Sequence, residues 1–166
     1  GARGLSNYAA GMGVRLSEDE AAVVRNKWLE EYSGIRKWHR QLAREADRTV
    51  GQVVDLRIPK TDMRRYLIGD MNRLTNRANS PVQGAGAAIL KTALGTMWSH
   101  VKDAEDEAKL CAAIHDELLM LVREDCVDKW SVILKNAMEA AESKWLGVDL
   151  PSVADVQSGR TWAEVH

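Results

Sequence analysis

The sequence predicts an α+β fold, mainly helical, with a small antiparallel sheet that carries a His-Asp-Glu hairpin. Apolar residues recur at steps of three and four over most of the 166 residues, which is the period of a helix with one buried face. Two short apolar runs, Lys109 to Ile114 and Leu118 to Arg123, flank a polar centre, as two strands joined by a tight turn do. A further β-rich stretch, Val50 to Ile58, contains a glycine and is closed by Pro59.

Taken in order, the first element signal is Ser17-Glu18-Asp19-Glu20. This is a capping box, with Ser17 as N-cap and Glu20 three residues on. Val23, Val24, Trp28 and Leu29 then mark the apolar face of a helix running to about Tyr32. Gly34 is expected to interrupt it, and Ile35, Trp38, Leu42 and Ala46 carry a second helix to about Thr49. Residues 60–70 read as a loop or short strand, and helix resumes near Asn72. Ser80-Pro81 predicts a break or kink, because proline disfavours helix in the residue before it. A long alanine-rich helix is expected from Val82 to Val101, where Gly84 and Gly86 permit close approach of another backbone. After the hairpin, Asp125 is expected to cap a helix from about Cys126 to Trp145, with Trp130, Ile133, Leu134, Ala137, Met138 and Ala141 on one face. Gly147 should stop it. Val153 to Val156 reads as a last short strand before a polar tail.

The composition suits one ordinary domain or part of a larger one, with 45% hydrophobic and 28% charged residues. No stretch approaches the roughly 20 apolar residues of a membrane helix. The N-terminus, Gly1 to Gly13, is small and glycine-rich and lacks the basic head and apolar centre of a signal peptide. A cytoplasmic chain without a membrane partner is expected. Cys111 and Cys126 fit a reduced compartment better than a disulfide framework, and Cys111, inside an apolar run, is expected in the core. The net charge of −1 hides an asymmetry. Arg36 to Arg77 holds 11 basic and 5 acidic residues, a net of +6, while Lys102 to Asp149 holds 6 basic and 12 acidic, a net of −6. A basic half suits a polyanion and an acidic half suits cations, although solvated helix faces give the same pattern.

Two motifs carry chemistry. In Ile114-His115-Asp116-Glu117, two carboxylates and an imidazole stand between runs that favour burial. A buried charge costs several kcal/mol unless it is paired or bound to a metal, so the acids are expected at a turn facing a polar site. Hard divalent cations want such oxygen ligands. In Asn79-Ser80-Pro81-Val82-Gln83-Gly84-Ala85-Gly86, two amides stand four residues apart near a helix start, with Lys91 two turns beyond Gln83. Amides can read minor-groove acceptors on either base pair, and the glycines would let a nucleic-acid backbone approach. Taken alone, each motif reads better as an ordinary structural feature, an acidic turn or a capped kink.

The order of the two motifs is more specific than either. Asn79, Gln83, Gly84 and Lys91, then His115-Asp116-Glu117, then Gly159, Trp162 and His166 resemble the C-terminal part of the family A (polymerase I type) DNA polymerases. Gly1-Ala2-Arg3-Gly4-Leu5, the helix from Glu18, and Tyr32-Ser33-Gly34-Ile35 are similar to the family's fingers. The resemblance spans essentially the whole chain. It implies one unit, the C-terminal part of a polymerase domain, with fingers and connection over about 1–77 and palm over about 78–166. The small sheet would then be of the palm type.

The resemblance also implies roles. Asp116, at the hairpin turn, would be catalytic and would bind two Mg2+ ions. Glu117 would join it as a catalytic and metal-site neighbour, and His115 would lie against the primer terminus. Asn79 and Gln83 would contact the primer-template DNA, as would Arg73, Arg77 and Lys91, and the basic stretch 36–77 would face DNA phosphates. The reaction would be attack of the primer 3′-hydroxyl on the α-phosphate of a deoxynucleoside triphosphate, with pyrophosphate leaving, by a two-metal mechanism. The family's other metal-binding Asp and its nucleotide-binding helix lie upstream of the segment matched here. A fragment or split subunit, incomplete without an upstream polymerase segment, is therefore expected. Many relatives carry Arg where this chain has Thr75, and an acid where it has Ala88; the latter and the Gly-Ala-Gly-Ala run look more phage-like. Two other readings compete. One is a nucleic-acid-binding or assembly module without catalysis. The other is a metal-dependent phosphohydrolase, for which His39, His100 and His166 would have to converge on His115 and Asp116.

Overall fold

The structure is a computed structural model that describes every residue except Val148 and His166. Its elements are α1 (Ala2–Gly11), α2 (Glu18–Glu31), α3 (Ser33–Arg48), β1 (Val54–Arg57), β2 (Arg64–Leu67), α4 (Leu74–Val101), β3 (Ala108–Ile114), β4 (Glu117–Val122) and α5 (Val127–Leu146). Single 3-10 turns occupy Gly69–Met71, Glu124–Cys126 and Trp162–Glu164. β1 pairs with β2 and β3 with β4, in two separate two-stranded sheets. The fold is α+β and mostly helical, as expected. By contacts, the chain divides into Gly1–Val54 with Tyr66–Ala78, and Asp55–Arg65 with Asn79–His166.

In the first unit, α1 packs on α2 and α2 on α3. The glycine-rich N-terminus, given no element by the sequence reading, forms α1. Ala2, Ala9 and Ala10 supply the propensity that Gly4 and Gly11 remove, and Ser6 Oγ donates to the Leu16 carbonyl at 2.6 Å. The expected capping box is present. Ser17 Oγ accepts from the Glu20 N–H at 3.3 Å, and Glu20 Oε2 accepts from the Ser17 N–H at 2.9 Å. The Ser17 hydroxyl, which donates to Glu20 Oε2 at 2.7 Å, and then the Ser17 N–H hold the Glu20 carboxyl below the usual range.

The buried face of α2 is narrower than its periodicity suggests. Ala21 and Leu29 are buried, whereas Val23, Val24 and Trp28 are exposed, with the Trp28 and Tyr32 ring centroids 5.1 Å apart and tilted by 45°. The helix break falls at Tyr32 (φ −94, ψ 62) and not at Gly34. Gly34 lies in the first turn of α3, where its N–H has no intrahelical acceptor to lose. Leu42 and Ala46 of α3 are buried, as is Leu67.

In the second unit, α4 and α5 provide the core. Met97, Val101, Ala108, Cys126, Trp130 and Ala137 form one buried cluster, with Ile133, Leu134, Leu118 and Met120 packed against it. The break expected at Ser80-Pro81 does not occur, because α4 runs through Pro81. The ring removes one donor, the one that would reach the Arg77 carbonyl, at a typical cost of about 3 kcal/mol. Ser80 before it and Ala88 and Ala93 after it are buried.

Four further expectations are corrected. Cys111 is exposed, not a core residue. It sits where a register irregularity between Leu110 and Ala112 interrupts the ladder. Asp125 does not cap α5, since its carboxylate is taken by Arg123 Nε at 2.6 Å and the N-cap position falls to Cys126. Gly147 does end α5, at φ +104. Residues 153–156 form no strand. The Ala154 N–H is held instead by the Glu139 side chain at 3.2 Å, and Ser152 bonds Ser143 at 3.1 Å, so the segment lies along α5 through side chains. Gly84 makes room for a side chain and not for a backbone, because a Cβ there would lie 2.6 Å from Ile58 Cγ2.

Candidate active site

Strands β3 and β4 pair antiparallel from Ala108 opposite Val122 to Ile114 opposite Glu117, which leaves His115 and Asp116 as the connecting pair. A two-residue connection requires unusual backbone angles, and His115 supplies one of them at φ +55. Histidine is among the few non-glycine residues enriched in that region. His115, Asp116 and Glu117 are all exposed. The conflict between acids and buried flanks resolves by alternation. Ala108, Leu110, Ala112 and Ile114 turn one way and are wholly or partly buried, while Lys109, Cys111 and Ala113 face solvent.

Asp116 and Glu117 stand at the rim of a groove of about 560 Å³. Gly86, Ile89 and Leu90 of α4, Leu118 of β4 and Met138 of α5 give it an apolar lining. Glu142 and Asp155 add two more carboxylates to its wall. Neither belongs to the motifs that stand out in the sequence. Glu142 was recoverable, since it continues the i, i+4 row of Leu134 and Met138 on α5. Asp155 was not, because its position depends on the Glu139–Ala154 and Ser143–Ser152 bonds.

On α4, Asn79 and Gln83 are exposed one turn apart, and neither side chain has a hydrogen-bond partner among the described residues. Gly86 is exposed, with nothing within 4 Å of where a Cβ would stand. Lys91 is exposed, and its Nζ lies 3.9 Å from Met63 Sδ. Ala88 is 6% exposed, so an acid there would be a buried charge in need of a partner.

The two arginines just before them differ. Arg73 is exposed and pairs with Asp70 at 3.2 Å. Arg77 is 3% exposed. Its guanidinium donates to Asn72 Oδ1 at 2.7 Å and Thr49 Oγ1 at 2.6 Å, and lies 3.5 Å from Glu45. The Arg77 donors are thus committed inside the first unit, where the side chain ties the end of α3 to the start of α4. His166, the last residue of the tail motif, lies outside the described residues. Gly159 fits closely against Glu164 and Val165, and Glu164 accepts from the Arg160 N–H at 2.8 Å.

At the open end of the hairpin, Glu107 accepts from the Trp130 indole N–H at 3.0 Å and from Lys129. Lys129 and Trp130 together hold the Glu107 carboxyl below the usual range, and Glu107 raises the Lys129 amine in return. Arg123 lowers Asp125 and is itself raised by it, and burial pushes the Cys126 thiol up.

As a metal centre the site is partial. Asp116 and Glu117 have the hard oxygen chemistry that magnesium takes, but among the described residues no group of three or more His, Cys, Asp or Glu could hold an ion. Two carboxylates are fewer oxygen ligands than a magnesium ion takes. No helix among the described residues is long and apolar enough to cross a membrane.

Comparison with known proteins adds three findings. The model of DNA polymerase family A matches residues 2–164. DNA polymerase I of Bacillus subtilis (strain 168) is 27% identical over 164 residues, which is 96% of this chain and 18% of that protein. The same enzyme of Caldicellulosiruptor bescii is 29% identical over 167 residues, 97% of this chain and 19% of the relative. Among solved structures, the POL domain of Pol1 from M. smegmatis, in complex with DNA primer-template and dNTP, matches with a TM-score of 0.58 and 28% identity, covering 84% of this chain and 25% of that one. The chain thus spans about a fifth of the curated relatives' length, and by the match over nearly all its residues it belongs to DNA polymerase family A.

Proposed function

We propose that this chain forms the fingers-to-palm C-terminal portion of a DNA-directed DNA polymerase and serves template-dependent deoxynucleotidyl transfer. The observation that carries the reading is the groove, which brings the Asp116-Glu117 turn beside Gly86 and Leu90 of α4, the helix that bears Asn79 and Gln83. Residues 1–77 are read as fingers and connection, and 78–166 as palm.

In this reading Asn79 and Gln83 accept and donate along the minor groove of a primer-template duplex, fixing its register without choosing a sequence. Lys91 and Arg73 neutralise phosphates. His115, held at the turn by its backbone, orients the primer end. Asp116 and Glu117 present their carboxylates toward the reacting atoms as part of a magnesium-ligand set completed by an upstream polymerase segment. Magnesium, when bound, would supply Lewis-acid activation. Deoxynucleoside triphosphates bind mainly through that upstream segment. Most of the catalytic work is positioning and electrostatics.

Primer extension tests this. The 166-residue chain alone, with magnesium, primer-template and deoxynucleotides, should give no extension. Adding the upstream part of a family A polymerase domain should restore it. Asp116→Ala should then lower the restored rate by at least about 10²-fold, while DNA affinity stays largely intact. Robust extension by the chain alone sinks the proposal of an incomplete site. The incomplete donor set also favours a second reading, a DNA-binding or assembly module with no chemistry. There Asp116→Ala would leave both magnesium binding and the reconstituted reaction unchanged.

A further inference from the structure

Of the basic residues between Arg36 and Arg77, several are already engaged. Arg64 pairs with Asp55 at 2.9 Å, Arg73 with Asp70, and Arg77 is buried. Four on α3 are not. Lys37, Arg40, Arg44 and Arg48 are exposed, and none has an ion-pair partner among the described residues. With Gln41 and Asp47 they line a shallow groove of about 750 Å³ in the first unit. Their spacing of three, four and four residues keeps them on one face. At a rise of about 1.5 Å per residue, that row is about 16 Å long.

The local electrostatics of this row are unfavourable. Arg40–Arg44 and Arg44–Arg48 are like-charge i, i+4 pairs, which destabilise a helix. The neighbouring acids do not relieve them. Glu45 accepts from Gln41 at 2.9 Å and pairs with Arg77, and Asp47 is one carboxylate against four cations. Such a row is matched by a polyanion with regularly spaced charge. One nucleic-acid strand carries a phosphate about every 3.4 Å of axis, or roughly five along 16 Å.

We infer that the exposed face of α3 is a second nucleic-acid contact, a track for the phosphate backbone formed by Lys37, Arg40, Arg44 and Arg48, separate from the amides of α4. The inference rests on the polymerase reading only for the nature of the polyanion. Phosphate contacts of this kind position a strand and read no sequence.

The test is the salt dependence of binding of the whole chain to a labelled primer-template, followed by fluorescence anisotropy. Each neutralised phosphate contributes about 0.7–0.9 to the slope of log K against log salt. The variant R40Q/R44Q/R48Q should therefore flatten the slope by about 2–3, and R40K/R44K/R48K should keep it. Far-UV circular dichroism and a thermal melt confirm folding, and the glutamine variant, relieved of like-charge pairs, should melt no lower than the parent. An unchanged slope in the folded glutamine variant overturns the inference. So does binding of the parent to phosphatidylserine vesicles as tight as to DNA, since the face would then take any anionic surface. N79A/Q83A separates the two ideas. It should weaken binding without moving the slope. If it has no effect while the glutamine variant flattens the slope, the α4 assignment fails and the α3 track stands.

Discussion

Glu107 is the residue through which the open end of the hairpin is tied to α5, by bonds to Trp130 Nε1 and Lys129. Its carboxyl is held below its ordinary value of 4.5 in the folded chain. A carboxyl lowered on folding adds stability that is present above its unfolded value and is lost as pH falls through the folded one. Lys129 is raised above 10.5, so its share is present below that value and is lost only in strong alkali. Glu107→Gln should therefore flatten the decline in stability on acidification below about pH 4.5, measured as urea midpoints across a pH series. A variant profile parallel to that of the parent would contradict this. The pair was not legible in the sequence, because Glu107 sits in a run of acids at 105–107 and only folding selects which one meets Trp130.

At the scale of elements, legibility followed how local the cause was. The Ser17–Glu20 box and the Gly147 stop depend on residues within a few positions, and both appear where expected. The face of α5 marked by Trp130, Ala137 and Ala141 is likewise buried. At Pro81 the helix does not end, since α4 runs on through it. Residues 153–156 misled in the opposite sense, since a short valine-rich stretch is strand-like but a strand needs a partner, and Glu139 took the Ala154 amide. Gly84 belongs to this scale too, as the point where α4 meets Ile58. A Cβ would lie 2.6–2.9 Å from three Ile58 carbons. Gly84→Ala should destabilise the chain by about 1–3 kcal/mol through overpacking, outweighing about 1 kcal/mol of helix propensity. Ile58→Val added to it should recover part of the loss in chemical denaturation. A Gly84→Ala variant at parent stability would remove the close approach as an explanation.

For the whole molecule, the order of motifs carried the family assignment, while the site itself was legible only in part. The sequence named Asp116 and Glu117 but not the groove they border, because that groove depends on contacts between α4, α5 and a tail held by side chains. It also could not distinguish Arg73 from Arg77. Both lie near the start of α4, but one faces solvent and the other is enclosed by Glu45, Asn72 and Thr49. The chain covers about a fifth of its relatives, and the expected outcome at this scale is that extension depends on added upstream segment and saturates with it, as a complementation titration would record.

Gly86 sits two residues from Gly84 and faces the opposite way, with nothing within 4 Å. The two glycines therefore divide the demands on α4 between inside and outside. At 84 a methyl group would meet the protein itself. At 86 it would meet only a visitor, standing between the bare peptide ridge of the helix and anything laid in the groove. A methyl scan of this one helix would thus separate what the chain needs in order to fold from what it needs in order to be approached.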